Sequence, residues 1–218
     1  MTPHSLAQEC HTAGPGARRG DDPPLALIAA GQDLWKQDQQ RAGEAKFLAA
    51  LDALVRQYQA EIIGFCVEVL QGTGVQGEDI AQEVFLAAYK AMPHFEARAS
   101  LRTWLYRIAR NQCAHVVRDE ARHLQSLATH RAPVLHRAHR AAELPPEQRL
   151  QDHEVRTRVQ ASLTQLKEAD RTVLVLTYMR ELTTDQIAEI LMITPQEVRT
   201  RRSRALKRLR MVVDHEAR

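Results

Sequence analysis

The feature that most constrains this chain is a run of apolar residues spaced alternately three and four apart. From Glu44 onward, Leu48, Leu51, Val55, Tyr58, Ile62, Phe65 and Val69 recur in this way with no proline among them. Such spacing lines one face of a helix, whereas a half-buried strand alternates in twos. It predicts one long helix, or two in succession, with a stripe that must be covered by other elements. The same period predicts helices from about Glu78 to Met92 and from Ser100 to about Ala121, and it returns near Val155, Val159, Leu163 and Leu166. With 44% hydrophobic, 26% charged and 5% aromatic residues, the composition favours helical cores over a β-sandwich. The expected fold class is all-α.

Breakers divide the pattern. GTGVQG (72–77) ends the first helical stretch, Pro93 stops the second, and Ser100 is placed to cap the third. Residues 1–43 mix Gly, Pro, Gln and Asp with little periodicity, which predicts a largely disordered extension with a short helix near Leu25–Trp35. Residues 122–150 hold His123, His130, His136 and His139 with three prolines and read as a flexible linker. The chain thus divides into an extension (1–43), a helical domain (44–121), a linker (122–150) and a second helical domain (151–214).

Charge is unevenly spread. Residues 1–92 carry 7 Lys/Arg against 12 Asp/Glu, while residues 93–218 carry 23 against 15, and the whole chain is +3. That asymmetry points the second half towards a polyanion. Cys10, Cys66 and Cys113 are too few and scattered for a disulfide framework. No apolar run approaches the ~20 residues of a membrane span, and the N-terminus lacks the apolar stretch of a secretory signal. A cytoplasmic protein without membrane insertion is expected. Ten histidines and the Cys10–His11 pair raise a metal-sensing reading. No HExxH or CxxC spacing supports it, so no metal site, cofactor or catalytic residue is predicted.

Three stretches carry recognisable chemistry. The first, PHFEARASLRTWLYRIARN (93–111), gathers three of the ten aromatic residues with four arginines. On a helix, Leu101, Leu105, Ile108, Ala109 and Val116 share the core face. Thr103, Arg107, Arg110, Asn111 and Arg118 share the opposite one, with no acid among them and Trp104 at the border. Arginine and asparagine donate to phosphates and base edges, and an aromatic ring can stack on an unpaired base. A solvated basic face over a core tryptophan is the plainer alternative.

The second stretch, LTTDQIAEILMITPQEVRTRRSRALKRLR (182–210), reads as a helix-turn-helix. Thr183 with Gln186 and Thr194 with Glu197 form two capping boxes, and Pro195 occupies a first helical position. Ile187, Ile190 and Leu191 make one buried stripe, and Val198, Ala205, Leu209 and Val212 make another. Gln196, Thr200, Ser203 and Lys207 point away from them, flanked by Arg199 and Arg204. Seven Lys/Arg against one acid between Pro195 and Arg210 suit a DNA major groove. The third stretch, GEDIAQEVFLAAYKAM (77–92), turns Asp79, Gln82, Glu83 and Leu86 outward. An exposed leucine among acids suits a protein partner.

In this order, EDIAQEVFLAAYKAMPHFE, SLRTWLYRIARNQ and the helix-turn-helix resemble bacterial RNA polymerase sigma factors of the extracytoplasmic function (ECF) group, over roughly residues 45–121 and 152–212. The resemblance implies two all-helical domains joined by a flexible linker and no catalytic site. It implies that Asp79, Gln82 and Glu83, with Leu86 beside them, dock on core RNA polymerase. The minus-ten promoter element would be melted and read by His94, Phe95, Arg98, Thr103, Trp104, Arg107, Arg110, Asn111 and Arg118. The minus-thirty-five element would be read by Thr194, Pro195, Gln196, Arg199, Thr200, Arg201, Ser203, Arg204 and Lys207. An anti-sigma factor would wedge between the domains, and the regulon would answer a stress or signal. Arg202 departs from the pattern, falling on the apolar arc of the recognition helix, where its stem should lie on the core and its guanidinium snorkel out. The competing readings are a one-component helix-turn-helix regulator and, from another class, a metal sensor.

Overall fold

The computed structural model describes residues 23–128 and 160–216, and regular structure among them is helical. Helix α1 spans Pro23–Lys36 and α2 spans Gln40–Leu70 without interruption. The short helix expected near Leu25–Trp35 is therefore present. It is not an isolated element in a disordered tail, because Ile28 is buried against α2 beside Phe47. The ordered domain reaches back to residue 23 rather than starting at 44; residues 1–22 lie outside the described residues.

That extra helix also explains a register error in the expected stripe. Leu48 is 55% exposed, and the buried line along the first half of α2 is Phe47, Ala50, Leu54 and Tyr58. Periodicity fixes which residues share a face but not which neighbour covers it. Here α1 lies against α2, with the Trp35 and Phe47 rings 5.8 Å apart, and selects the face one residue earlier. Farther along, Ile62, Phe65 and Val69 are buried as the spacing predicts.

After a turn containing Gly72 and Gly74, both at positive φ, α3 spans Gly77–Ala91. Gly77 is required by proximity, because a Cβ there would stand 2.5 Å from the Val67 backbone nitrogen. A 3-10 turn, Met92–His94, follows α3. Helix α4 spans Leu101–Ala128, so residues 122–128, expected to open the linker, continue the helix instead. Its start is fixed locally: Ser100 Oγ accepts from the Thr103 backbone N–H at 3.1 Å. Helices α2, α3 and α4 meet around Phe65, Val84, Ala88, Leu105 and Tyr106, with Phe65 and Tyr106 edge to face at 5.3 Å.

The second helical unit begins with a turn of helix at 160–164; the rest of the expected linker (129–150), and Val155 and Val159 of the periodic stretch after it, lie outside the described residues. Helix α5 (Glu168–Leu174) runs into a π-helical turn at Val175–Met179, followed by α6 (Thr184–Leu191) and α7 (Pro195–Glu216). Both expected capping boxes form. Gln186 N–H donates to Thr183 Oγ1, and Thr183 N–H donates to Gln186 Oε1. Thr194 and Glu197 make the same reciprocal pair. Between α6 and α7, Met192 takes a left-handed backbone, φ 56°, closing the helix-turn-helix.

The two units share one continuous core in which α6 packs against α4. Arginines fasten them. Arg180 pairs with Glu68 of α2 at 2.6 Å, where Gly64 leaves the room: a Cβ there would meet the guanidinium at 2.6 Å. Burial raises the Glu68 carboxyl above its ordinary pKa despite the opposing pull of Arg180. Arg171, buried in the middle of α5, donates to the carbonyls of Val69 and Gln71 at the end of α2, and to Leu163, Thr164 and Leu166 of its own unit.

Candidate nucleic-acid and polymerase interface

On α3, the helical period carries Ala81, Val84, Phe85 and Ala88 inward, and Asp79, Gln82, Glu83 and Leu86 are exposed together. Leu86 is 48% exposed, with both acids on the same side of the helix. The structure therefore makes one surface of all four residues singled out for docking.

The loop from Pro93 to Ser100 and the first turns of α4 divide the nine residues expected to face promoter DNA. His94 and Arg98 are exposed on the loop, Asn111 and Arg118 are exposed on α4, and Trp104, Arg107 and Arg110 are half-buried at its edge. Two residues do not belong to that surface. Thr103 is 2% exposed, with its hydroxyl accepting from Ser100 Oγ at 2.9 Å inside the cap of α4. A residue three positions past the N-cap turns towards the chain that enters the helix, an effect a straight helical wheel omits. Phe95 is 8% exposed and lies beneath Trp104, ring centroids 4.7 Å apart. It supports Trp104 and presents no face of its own.

The arginines also separate by role. Arg102 donates to Glu61 at 2.8 Å and to the Arg180 carbonyl at 3.2 Å, so it is committed to the fold. Burial alone would lower its pKa, but Glu61 outweighs burial and the net direction is up. Tyr106, raised well above the usual phenol by burial and by Glu61, keeps its proton and donates it to the same carboxylate at 3.1 Å. Arg98 meets Glu96 at 2.7 Å in an exposed pair, and such pairs give way readily to a phosphate. Arg110 donates to Asn111 and Arg118 to the Ala114 carbonyl. Arg107 keeps a buried Nε with no partner.

On α7, Val198 and Ala205 face the core, and Thr194, Pro195, Gln196, Arg199, Thr200, Ser203, Arg204 and Lys207 are exposed, with Arg201 half-buried. Gln196 accepts both the Nε and Nη2 donors of Arg199, at 3.1 and 2.8 Å, which presents the guanidinium at the first exposed turn. Glu197, the one acid between Pro195 and Arg210, is tied back by the Thr194 backbone and hydroxyl, which lower its pKa. Arg202 is half-buried and lines a groove with Tyr178 and Leu206, as its place on the apolar arc predicts. Among the described residues no His, Cys, Asp and Glu cluster is placed to hold a metal, and no helix is long and apolar enough to cross a membrane. His130, His136, His139 and Cys10 lie outside the described residues.

Comparison with known proteins decides the family. Residues 54–123 match the model of sigma-70 region 2, and residues 156–209 match that of sigma-70 region 4. The RNA polymerase sigma-H factor of Pseudomonas aeruginosa is 32% identical over 182 residues, 82% of this chain and 92% of that protein. The ECF RNA polymerase sigma factor SigW of Bacillus subtilis is 32% identical over 160 residues, 72% of this chain and 85% of that protein. The chain belongs to the ECF RNA polymerase sigma factors. Its fold is also that of two solved structures, each 21% identical. One is the sigma factor RpoE of Bartonella quintana in complex with the anti-sigma factor NepR (TM-score 0.57; 73% of this chain, 94% of that one). The other is CnrH in complex with the cytosolic domain of CnrY (TM-score 0.55; 89% and 99%).

As a member of that family, the chain is an alternative sigma factor that serves promoter recognition in transcription initiation. Region 2 of this sigma factor ends on α4 and region 4 holds the helix-turn-helix, so both basic helices fall within matched segments. Helix α1 precedes both matches. From it, Gln32 reaches the loop that leads into α4, a contact without any signal in the sequence. Arg171 did leave a signal, as a charge at the head of the apolar run VLVL.

Proposed function

We propose that this sigma factor holds core RNA polymerase through Asp79, Gln82, Glu83 and Leu86, and reads its promoters with two separate helices. The minus-ten element is met by His94, Arg98, Trp104, Arg107, Arg110, Asn111 and Arg118. Trp104 takes an unstacked base while the arginines follow the phosphates of the departing strand. The minus-thirty-five element is met in the major groove by the first turns of α7, with Arg199 and Thr200 nearest the base edges. The observation that carries this reading is the half-buried Trp104 on the same helix as the half-buried Arg107 and Arg110, in a chain whose second basic surface lies on a different helix.

The chain acts as a regulatory subunit in the cytoplasm, with the polymerase supplying all catalysis. A helical anti-sigma factor covers the Asp79 and Arg199 faces until a stress or other signal removes it. In support, the solved relative RpoE was captured with the anti-sigma factor NepR. Strand opening tests the assignment. A promoter carrying 2-aminopurine in the minus-ten element should brighten when this chain and core polymerase are both added. Trp104→Ala or Arg110→Ala should weaken that signal, with stacking on one ring worth ~1–3 kcal/mol. An undiminished signal from both variants would remove α4 from the melting step.

A further inference from the structure

The loop between α3 and α4 is held from outside. Its carbonyl groups at Met92, Pro93 and Phe95 turn towards α1, and the Gln32 amide sits among them. Gln32 Nε2 donates to the Met92 carbonyl at 2.8 Å and to the Phe95 carbonyl at 2.8 Å, with Pro93 O at 3.5 Å. Both N–H groups of one side-chain amide are therefore used on a single turn of chain. The Met92 carbonyl also accepts the Phe95 backbone N–H at 3.1 Å, so the Gln32 amide adds to a turn already closed at Met92 and reaches on to the Phe95 carbonyl beyond it.

This turn controls the geometry of the chain beyond it. Phe95 packs under Trp104, so a displaced Phe95 backbone shifts the ring that Trp104 rests on. Two residues on, Ala97 has φ 52°, a left-handed conformation that costs a residue with a Cβ free energy to hold. Local preference alone would let this loop relax, and its shape depends on contacts that over-determine it. Helix α1 is anchored independently through Ile28, with Gly31 closing against Phe47, which makes Gln32 a fixed donor.

We propose that Gln32 is a positioning residue for minus-ten recognition: from a helix outside both matched sigma regions, it sets the loop and the Trp104 edge in the geometry that distinguishes bases. The inference rests on the assignment of that loop and α4 to the minus-ten element. Gln32 touches no DNA and acts through Phe95 and Trp104.

The test uses the full chain with core polymerase on a promoter library randomised in the minus-ten element, the minus-thirty-five element held constant. Gln32→Met keeps length and packing but removes both donors. Gln32→Lys restores donors that can reach the same carbonyls. Wild-type holoenzyme should rank minus-ten sequences steeply. Gln32→Met should flatten that ranking by about tenfold, the size of one lost base discrimination, while affinity for core and dependence on the minus-thirty-five element stay unchanged. Gln32→Lys should recover most of the ranking. If Gln32→Met ranks promoters as wild type does, or loses activity equally on all of them, Gln32 is not a positioning residue. Failure of the lysine variant to recover would equally overturn the donor role. If wild type itself shows no minus-ten preference, the assignment of α4 falls, and this inference with it.

Discussion

Arg171 provides the sharpest energetic test of how the two helical units are joined. It is 6% exposed, and all five of its N–H donors go to main-chain carbonyls: Nε to Leu163, Nη1 to Val69 and Gln71, and Nη2 to Thr164 and Leu166. Burial lowers its pKa, which records the cost of placing a cation there. Arg171→Met fills similar space and removes every donor. The bonds to Leu163, Val69 and Leu166 are buried, while the Gln71 and Thr164 carbonyls stand nearer to water and can be rehydrated. Three stranded carbonyls at ~1–3 kcal/mol each bracket the loss, and relief from burying the guanidinium offsets part of it. The expected net destabilisation is about 3–5 kcal/mol. Urea unfolding, monitored at once by circular dichroism and by the fluorescence of Trp35 and Trp104, measures it. Because Arg171 ties α5 to the end of α2, the variant should also separate the two probes' transitions, which coincide when the units unfold together. Arg171→Lys, with one point of charge in place of a planar fork, should fall between wild type and Arg171→Met. A loss under about 1 kcal/mol in Arg171→Met would mean that water already satisfies these carbonyls and that Arg171 is no clamp.

The same geometry makes three further outcomes testable. Arg199→Ala and Thr200→Ala should weaken use of the minus-thirty-five element by ~1–3 kcal/mol and relax base preference there, measured as transcription from substituted promoters. An equal loss on every promoter would count against base contact. Asp79→Ala and Glu83→Ala should lower affinity for core polymerase in a titration while leaving the melting temperature within about a degree or two of wild type, because exposed side chains leave no cavity. Cys66 and Cys113 are both fully buried, and the Cys66 contact together with burial pushes the Cys113 thiol far up. Iodoacetamide should therefore leave both unmodified in the folded protein at neutral pH and label both in urea, as read by peptide mass spectrometry.

Local rules carried most of the structure that was legible in the sequence. The capping boxes at Thr183 and Thr194, the Ser100 cap and the glycine turn after α2 each depend on a few neighbouring residues, and each forms as the sequence implies. The outward face of α3 and the exposed turns of α7 come from period alone, since each helix has one apolar side to bury. The errors arise where a second element decides. Leu48 lost its place to Phe47 because α1 covers that side of α2. Thr103 lies between half-buried residues and Phe95 between exposed ones, but they are enclosed by the cap and by Trp104. Arg102, counted in the sequence only as one of four arginines in 93–111, is claimed by Glu61, 41 residues earlier in the chain. Gln32 was unreadable for the same reason: a polar residue on a short helix acquires meaning only from the carbonyls opposite it.

The central claim is that this chain recognises promoters as a subunit of RNA polymerase, using two DNA-reading helices at once. Run-off transcription from a randomised promoter library, with core polymerase alone and with core plus this chain, tests it most directly. The account predicts transcripts that depend on the chain and share two sequence elements about two helical turns of DNA apart. In parallel bandshifts the same promoters should bind tightly only when core is present. Tight promoter binding by the chain alone, with no gain in transcription on adding core, would contradict it.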